Sequence, residues 1–123
     1  MIDKSLLDKI IIGRVEPHIY AFSTNTIPNY LKVGDTYRSV YVRLEEWRKY
    51  FPELKKELEQ IAKVDNNSYF RDFSVHKFLE NKKNRQRLKI TDISAGIYYS
   101  REFFKNATKE ELIEAVEDIK HDY

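Results

Sequence analysis

Two short β-prone runs separated by a polar turn constrain the fold of this chain more than any other feature. The first run is Ile-Tyr-Ala-Phe at residues 19–22, and the second is Tyr-Leu-Lys-Val at residues 30–33. Asn25, Pro28 and Asn29 lie between the runs, and these residue types favour turns. The pattern predicts an antiparallel hairpin with strands over residues 18–23 and 30–35.

A helix and a third strand are predicted after the hairpin. Val40, Leu44 and Trp47 recur at the spacing of one helix face. We therefore expect a helix over residues 39–50. The run Glu-Leu-Glu-Gln-Ile-Ala-Lys-Val at residues 57–64 predicts the third strand, although a helical turn at its start is also compatible with the pattern.

The second half of the chain predicts two more helices. The first covers residues 69–80, and its expected core face consists of Phe70, Phe73, Val75 and Phe78 or Leu79. The second opens with a Thr-x-x-Glu capping box at Thr108 and Glu111. Its buried stripe is expected to be Leu112, Val116 and Ile119.

Three shorter segments complete the predicted layout. Residues 5–12 fit a short amphipathic helix or a strand, residues 81–89 a basic exposed loop, and residues 97–99 a short strand or extended segment. The alternation of strands and helices predicts an α/β fold of the α+β kind. We expect a small antiparallel three-stranded sheet flanked by helices, in a single domain over residues 1–123.

Composition narrows the class of protein. The chain has 123 residues, of which 41% are hydrophobic and 34% charged, as expected for one globular domain with a core. It has no cysteine, which excludes disulfides and thiolate zinc sites. No apolar run approaches the roughly 20 residues that span a bilayer, and no signal peptide is recognisable. A cytoplasmic protein without a membrane partner is the expectation.

The distribution of charge along the chain is more informative about possible partners than the net charge of +2. Residues 69–105 carry nine Lys or Arg against four acids, whereas residues 106–123 carry two Lys against six acids. One cationic face is the minimum requirement for a polyanion binder. A solvated loop beside a solvated helix would give the same distribution.

Several residues, taken in order along the chain, resemble the GIY-YIG endonuclease superfamily, in the branch found in phage proteins and fused to restriction-type helicases. His18-Ile19-Tyr20 resembles the first signature with His for its glycine, and Lys32-Val33-Gly34 resembles the second with Lys for its tyrosine. The remaining matches are Arg43, the pair Asp72 and His76, and residues 101–104. The resemblance covers about the first 105 residues.

The resemblance implies a metal-dependent endonuclease that hydrolyses DNA phosphodiester bonds with Mg²⁺ or Mn²⁺. Tyr20 would act near the attacking water, as base or orienter. Lys32 would place a positive charge beside it, and Arg43 would bind phosphate oxygens. Asp72 would be the metal ligand where the family has a longer Glu, with Glu80 as the substitute. His76 would ligate or relay a proton.

The remaining expectations concern DNA and partners. The residues expected to contact DNA are Arg38, Lys82, Lys83, Arg85 and Arg87. Gly34 is expected to have a structural role, because a β-carbon there would intrude on the site. The family habit also implies that the domain belongs to a longer protein, with a fused or associated helicase or restriction subunit.

Each site residue also has a purely structural interpretation. Tyr20 can be a packed strand tyrosine, Lys32 an exposed strand lysine, and Asp72 a surface acid at a helix N-terminus. Arg43 can form a salt bridge with Glu45 or Glu46, and His76 can bond a neighbour in the core. The corresponding alternative function is a weak or inactive nucleic-acid-binding module. A plain interaction domain that uses residues 5–12 as an adaptor is a further alternative.

Overall fold

The computed structural model describes residues 16–64 and 68–121, which form an α+β fold. The described residues contain one antiparallel sheet of four strands in the order β3-β1-β2-β4. The strands are β1 (His18–Ser23), β2 (Tyr30–Thr36), β3 (Lys55–Ile61) and β4 (Phe103–Lys105). The helices are α1 (Val40–Trp47), α2 (Asp72–Lys82) and α3 (Lys109–His121), with a 3-10 turn at Ile90–Asp92.

The predicted hairpin is confirmed. β1 and β2 pair antiparallel, and Tyr20 lies opposite Gly34 across the pair. The turn between them contains Asn29 in the left-handed region with φ 69°, a conformation that asparagine tolerates better than most residues. The Asn29 carbonyl accepts a 2.7 Å hydrogen bond from the backbone N–H of Asn106, which ties the turn to the segment after β4.

The prediction of a three-stranded sheet is wrong, because β4 adds a fourth strand along the free edge of β2. β4 pairs with β2 from Tyr30, opposite Lys105, to Lys32, opposite Phe103. Three residues are too few to show an alternating pattern, so only the long-range pairing defines this strand. The short strand considered at residues 97–99 does not form, and the extended alternative describes this irregular segment better. β3 begins two residues earlier than predicted.

Successive residues of the strands point to opposite faces of the sheet and feed two separate cores. α2 and α3 cover one face, which is built mainly from aliphatic side chains such as Ile19, Val33, Val75 and Leu112. We call it the aliphatic face. α1 and residues 88–99 cover the other face, whose core contains Tyr20, Phe22, Trp47, Phe51 and Phe103. We call it the aromatic face.

The helices agree with the sequence patterns in most details. The side chain of Ser39 caps α1 by accepting from the N–H of Val42 at 3.4 Å. Thr108 and Glu111 form the reciprocal bonds of the predicted capping box. Phe73, however, was expected in the core and is 57% exposed, because Val75, Phe78 and Leu79 take the buried side of α2. The predicted helix at residues 5–12 lies outside the described residues.

Both edges of the sheet are short or charged. β3 forms one edge with the sequence Lys-Lys-Glu-Leu-Glu-Gln-Ile. The other edge is β4, whose Phe104 forms an isolated antiparallel bridge with Arg87. Within the described part of the chain, no helix has the length and apolar character needed to cross a bilayer.

Candidate active site

The hydroxyl of Tyr20 lies buried among nitrogen donors on the aromatic face. The indole N–H of Trp47 donates to it at 2.8 Å, and the ammonium of Lys32 lies 3.5 Å away. Arg43 also interacts with this hydroxyl. Burial lowers the pKa of Arg43, but the interactions with Tyr20 and Glu46 outweigh burial and leave its pKa raised. The phenol oxygen is therefore surrounded by groups that stabilise negative charge.

Gly34 allows this arrangement because it has no side chain. A β-carbon at Gly34 would lie 2.7 Å from the hydroxyl oxygen of Tyr20 and 2.8 Å from the nitrogen of Lys32. Such distances are far inside van der Waals contact, and the Tyr20 ring is rigid. The expected structural role of Gly34 thus follows from space at the point where β1 and β2 pair, and not from an unusual φ.

Lys32 is fully buried, so the interpretation of an exposed strand lysine is excluded. Its ammonium forms a 2.8 Å ion pair with Glu102, which directly precedes β4. It also lies over the Trp47 ring, 4.4 Å from the ring centroid. A buried ammonium is costly unless it is paired, and here one carboxylate and an aromatic face supply the partners.

Asp72, His76 and Glu102 form a compact group beside Lys32, which we call the acidic triad. Each side chain offers one possible ligand atom, and these atoms lie within 4.8 Å of one another. Asp72 is the first residue of α2, and its backbone N–H donates to the carboxylate of Asp35 at 2.9 Å. β2, α2 and the start of β4 thus bring the triad together.

The two carboxyl groups of the acidic triad can share one proton, and Asp72 binds it more readily than Glu102 does. Burial, the charges of Asp35 and Glu102, and a hydrogen bond to Glu102 raise the pKa of Asp72 to about 7. Burial raises the pKa of Glu102 as well, but Lys32 and the hydrogen bond from Asp72 outweigh burial and leave it lowered. Asp72 in its protonated form therefore donates to the ionised Glu102.

His76 is buried and oriented by the backbone of β2. Its Nε2 lies 2.8 Å from the carbonyl oxygen of Val33, and because a carbonyl only accepts, Nε2 carries the proton. Burial lowers the pKa of His76, so the ring is neutral and Nδ1 keeps a lone pair. The structural interpretation, a hydrogen-bonded core histidine, therefore describes Nε2, whereas Nδ1 keeps its lone pair.

The donor chemistry of the acidic triad fits a divalent cation. Two carboxylates suit Mg²⁺ and Mn²⁺, which also keep several waters. A proton shared between carboxyl groups marks a position where a cation can replace it. Lys32 limits the approach, since its ammonium occupies one side of Glu102. His76 Nε2 is the ring nitrogen that lies 4.0 Å from the Asp72 carboxylate, and ligation through it would require release of the bond to Val33.

The other predicted site residues lie apart from the acidic triad. Arg38 forms two hydrogen bonds with Glu46, at 2.7 and 2.8 Å, and Arg43 binds the same carboxylate at 3.0 Å. Glu80, the substitute metal ligand, instead pairs with Arg87 at 3.0 Å. This pair lowers the pKa of Glu80.

The basic segment is more involved in the fold than predicted. The expected exposed loop at residues 81–89 is confirmed in part: α2 extends to Lys82 and Leu88 is buried, whereas residues 83–89 are irregular and mostly exposed or half-buried. Arg85 forms a two-pronged ion pair with Glu111, and Lys83 pairs with Glu114. Of the residues expected to contact DNA, Arg38 and Lys82 lie on the exposed surface.

The roles of Glu102 and Trp47 were not predicted from the sequence. Residues 101–104 entered only as part of the resemblance, although Glu102 is the single acid between residues 93 and 105 and precedes two phenylalanines. An isolated acid beside a buried aromatic pair is a signal for a buried cation partner. Trp47 was identified as a core residue, but its indole N–H also serves the site.

Comparison of the chain with protein-family models, with curated proteins and with solved structures finds no match. The geometry of Tyr20, Lys32, Arg43 and the acidic triad is therefore the structural evidence about function.

Proposed function

We propose that this chain is an endonuclease domain that hydrolyses DNA phosphodiester bonds with a divalent cation, the activity implied by its resemblance to the GIY-YIG superfamily. One observation carries the proposal. The Tyr20 hydroxyl is buried between the indole N–H of Trp47 and the ammonium of Lys32, and this ammonium is 2.8 Å from the Glu102 carboxylate of the acidic triad. Phosphodiester hydrolysis needs this combination of a water-orienting group, fixed positive charge and carboxylates.

Each residue has a role that its surroundings support. Arg43 is partly exposed and offers its guanidinium to a phosphate oxygen, with the charge of Lys32 behind it. Tyr20 orients the attacking water through its hydroxyl oxygen. A role as base would require the phenolate, which the nearby nitrogen donors stabilise and which would take the proton of the water and become the neutral phenol. Asp72, Glu102 and His76 would hold Mg²⁺ or Mn²⁺. The bound cation would stabilise charge on the phosphate and on the leaving oxygen.

Glu46 supports the assignment of a phosphate position. Its carboxylate lies between Arg38 and Arg43, and hydrogen bonds from these two arginines lower its pKa. An anion is thus already stabilised between the two guanidinium groups, and a phosphate can replace it in the same position. This arrangement favours Arg38 as a DNA contact. A fused or associated helicase or restriction subunit would then supply the specificity for a particular DNA.

The test is nicking of supercoiled plasmid with Mg²⁺ or Mn²⁺ by the wild-type chain and two arginine variants. Arg43→Ala should lower the rate by about 100-fold or more, as for other transition-state donors. Arg48→Ala is the matched control, because Arg48 lies five residues after Arg43 and, within the described part of the chain, forms its ion pair with the exposed Glu45. Equal nicking by both variants and the wild type would refute the proposal.

The Lys32–Glu102 pair favours a second candidate, a nucleic-acid-binding module that does not cleave. The ammonium competes with a cation for Glu102, and Asp72 holds a proton near neutral pH. Both features lower the affinity for metal. This candidate predicts DNA binding that weakens steeply with salt, and no nicking at any concentration of Mn²⁺. Salt-independent binding would argue against it.

A further inference from the structure

Two exposed tyrosines stack on each other beside the candidate active site. The ring centroids of Tyr50 and Tyr98 are 4.0 Å apart, with an angle of 22° between the ring planes. Tyr50 follows α1, and Tyr98 lies in the irregular segment before β4. The two residues remain 50% and 44% exposed, so much of this aromatic surface is open to solvent.

The stacked pair is fixed to the site by Trp47. The Trp47 ring packs edge-on against Tyr98 at 5.8 Å and against Tyr50 at 6.3 Å. The same indole donates to the Tyr20 hydroxyl at 2.8 Å and has Arg43 over its ring at 5.3 Å. One aromatic ring therefore separates the exposed tyrosines from the proposed phosphate position.

The surface around the tyrosines combines aromatic rings with positive charge. Arg43, Lys49, Glu46 and Trp47 line one groove together with Tyr50 and Tyr98. Lys49 is exposed, and Arg43 is partly exposed. Aromatic rings next to cationic side chains are the usual means of binding single-stranded nucleic acids, in which bases stack on the rings and the cations contact phosphates.

We propose that Tyr50 and Tyr98 form a stacking site for an unpaired nucleobase of the strand whose phosphate lies at Arg43. The occupant is an unpaired base, because the faces of a paired base inside a duplex are covered by its neighbours. The inference rests on the proposed function for the position of the phosphate. It adds that the preferred substrate has single-stranded character next to the cleaved bond.

Trp47 provides a direct measurement, because it is the single tryptophan of the chain and contacts both tyrosines. The full chain is titrated in EDTA with a ten-nucleotide single strand, with the blunt duplex of the same sequence, with a mononucleotide and with inorganic phosphate. The single strand should change Trp47 fluorescence and bind at least tenfold more tightly than the duplex. The mononucleotide and phosphate should bind far more weakly.

Variants of Tyr98 separate stacking from packing. Tyr98→Leu keeps an apolar contact with Trp47 but removes the ring face, and it should weaken single-strand binding by about five- to 150-fold, the equivalent of about 1–3 kcal/mol per stacked base. Tyr98→Phe keeps the ring and should bind like the wild type. Tyr69→Ala is the matched control, an exposed tyrosine that lies outside the groove and bonds Glu16.

The outcomes distinguish the stacking site from the proposed function. Unchanged affinity in Tyr98→Leu, or an equal loss in Tyr69→Ala, would overturn the stacking site even if the wild type nicks DNA. Tighter binding of the mononucleotide than of the single strand would also overturn it. Strand binding that depends on Tyr98, without nicking in Mn²⁺, would support the stacking site and refute the endonuclease.

Discussion

The two faces of the sheet are built from the same strands but differ in what they bury. The aliphatic face packs Val33, Val75, Leu112 and their neighbours against α2 and α3, and His76 is its buried polar exception among the described residues. The aromatic face buries the phenol of Tyr20 and the ammonium of Lys32 among rings. An aliphatic side chain in a core can often be replaced by another of similar volume. A buried hydrogen bond or ion pair on the aromatic face, in contrast, requires a fixed arrangement of its two partners.

This difference indicates where stability and function lie. Burial of apolar surface on the aliphatic face stabilises the fold without restricting chemistry. On the aromatic face, Lys32 is stable only because Glu102 and the Trp47 ring accompany it. Tyr20 and Lys32 belong to the aromatic face, whereas Asp72 and His76 reach the candidate site from α2, which covers the aliphatic face. The variants described next test how far the apolar packing and the candidate site can be separated.

The largest expected effect is on catalysis, in Tyr20→Phe. Loss of the hydroxyl should lower the rate of DNA cleavage by about 10²- to 10⁴-fold if the phenol acts on the attacking water. The indole N–H of Trp47 loses its acceptor, so the free energy of unfolding should also fall by about 1–3 kcal/mol. Plasmid nicking and urea denaturation measure the two effects. A variant that cleaves like the wild type would remove Tyr20 from the site.

Leu112→Ala tests the aliphatic face. Leu112 is fully buried, and truncation should lower the free energy of unfolding by about 2–5 kcal/mol. The cleavage rate, measured at a temperature where the variant remains folded, should not change. Denaturation curves and nicking assays on the same preparation check both statements. A loss of activity with retained folding would show that the two faces are coupled.

Gly34→Val should affect both the stability of the fold and the cleavage of DNA. The added side chain meets Tyr20 and Lys32 at the distances of a steric clash, so it should lower the free energy of unfolding by about 1–3 kcal/mol and abolish cleavage. Val33→Ala is the neighbouring control, since Val33 belongs to the aliphatic face, and it should retain cleavage. Unchanged melting temperature and activity in Gly34→Val would contradict the described packing.

The smallest expected effect is the pH dependence that Asp72 contributes. Its pKa of about 7 lies above the ordinary 3.8, so the folded chain binds this proton more tightly than the unfolded chain. The contribution of Asp72 to stability is therefore present below about pH 4 and is lost as pH rises toward 7. Relative to Asp72→Asn, the wild type should lose stability between pH 5 and 7.5, by less than about 1 kcal/mol because the carboxyl is partly exposed.

The residues beside Asp72 also make the stability depend on pH. The contribution of Asp72 is therefore measured as the difference between the wild type and Asp72→Asn. His76 has a lowered pKa, so its contribution to stability grows as pH rises to about 6.5, the opposite sign. The lowered pKa of Glu102 matters only below about pH 4.5. Calorimetry should also show Mn²⁺ binding more tightly at pH 8 than at pH 6, and weakly to Asp72→Asn. Metal affinity without pH dependence would contradict a shared proton.

Local patterns predicted the hairpin, the three helices and the residues on the first turns of α1. The limits of β1 agree with the prediction, because its residues form a continuous β-prone run and the turn after it has clear signals. Tyr20, Lys32 and Arg43 were identified through the resemblance, and the hairpin brings them together. These predicted features all depend on contacts between residues that are close to one another in sequence.

Contacts distant in sequence explain what could not be predicted. The pairing of β4 with β2 joins residues about 70 positions apart, and it brings Glu102 to Lys32. The burial of Lys32 was not predicted, because β-strand alternation does not show whether both faces will be covered. The ion pairs of Arg85 and Arg87 also depend on α3 and α2, which no pattern within residues 81–89 encodes.

The charged edge strand has a consequence for the behaviour of the protein at high concentration. Among the described residues, the outer edge of β3 has no strand partner and carries Lys55, Lys56, Glu57 and Glu59. The outer edge of β4 is covered by residues 86–88, since the backbone N–H of Leu88 donates to Phe103 and that of Lys105 donates to Gln86, each at 2.8 Å. A second chain that added a strand at β3 would have to bring its backbone past these charges, and at β4 it would have to displace the hydrogen bonds already made. Both ends of the sheet thus discourage the growth of fibrous aggregates.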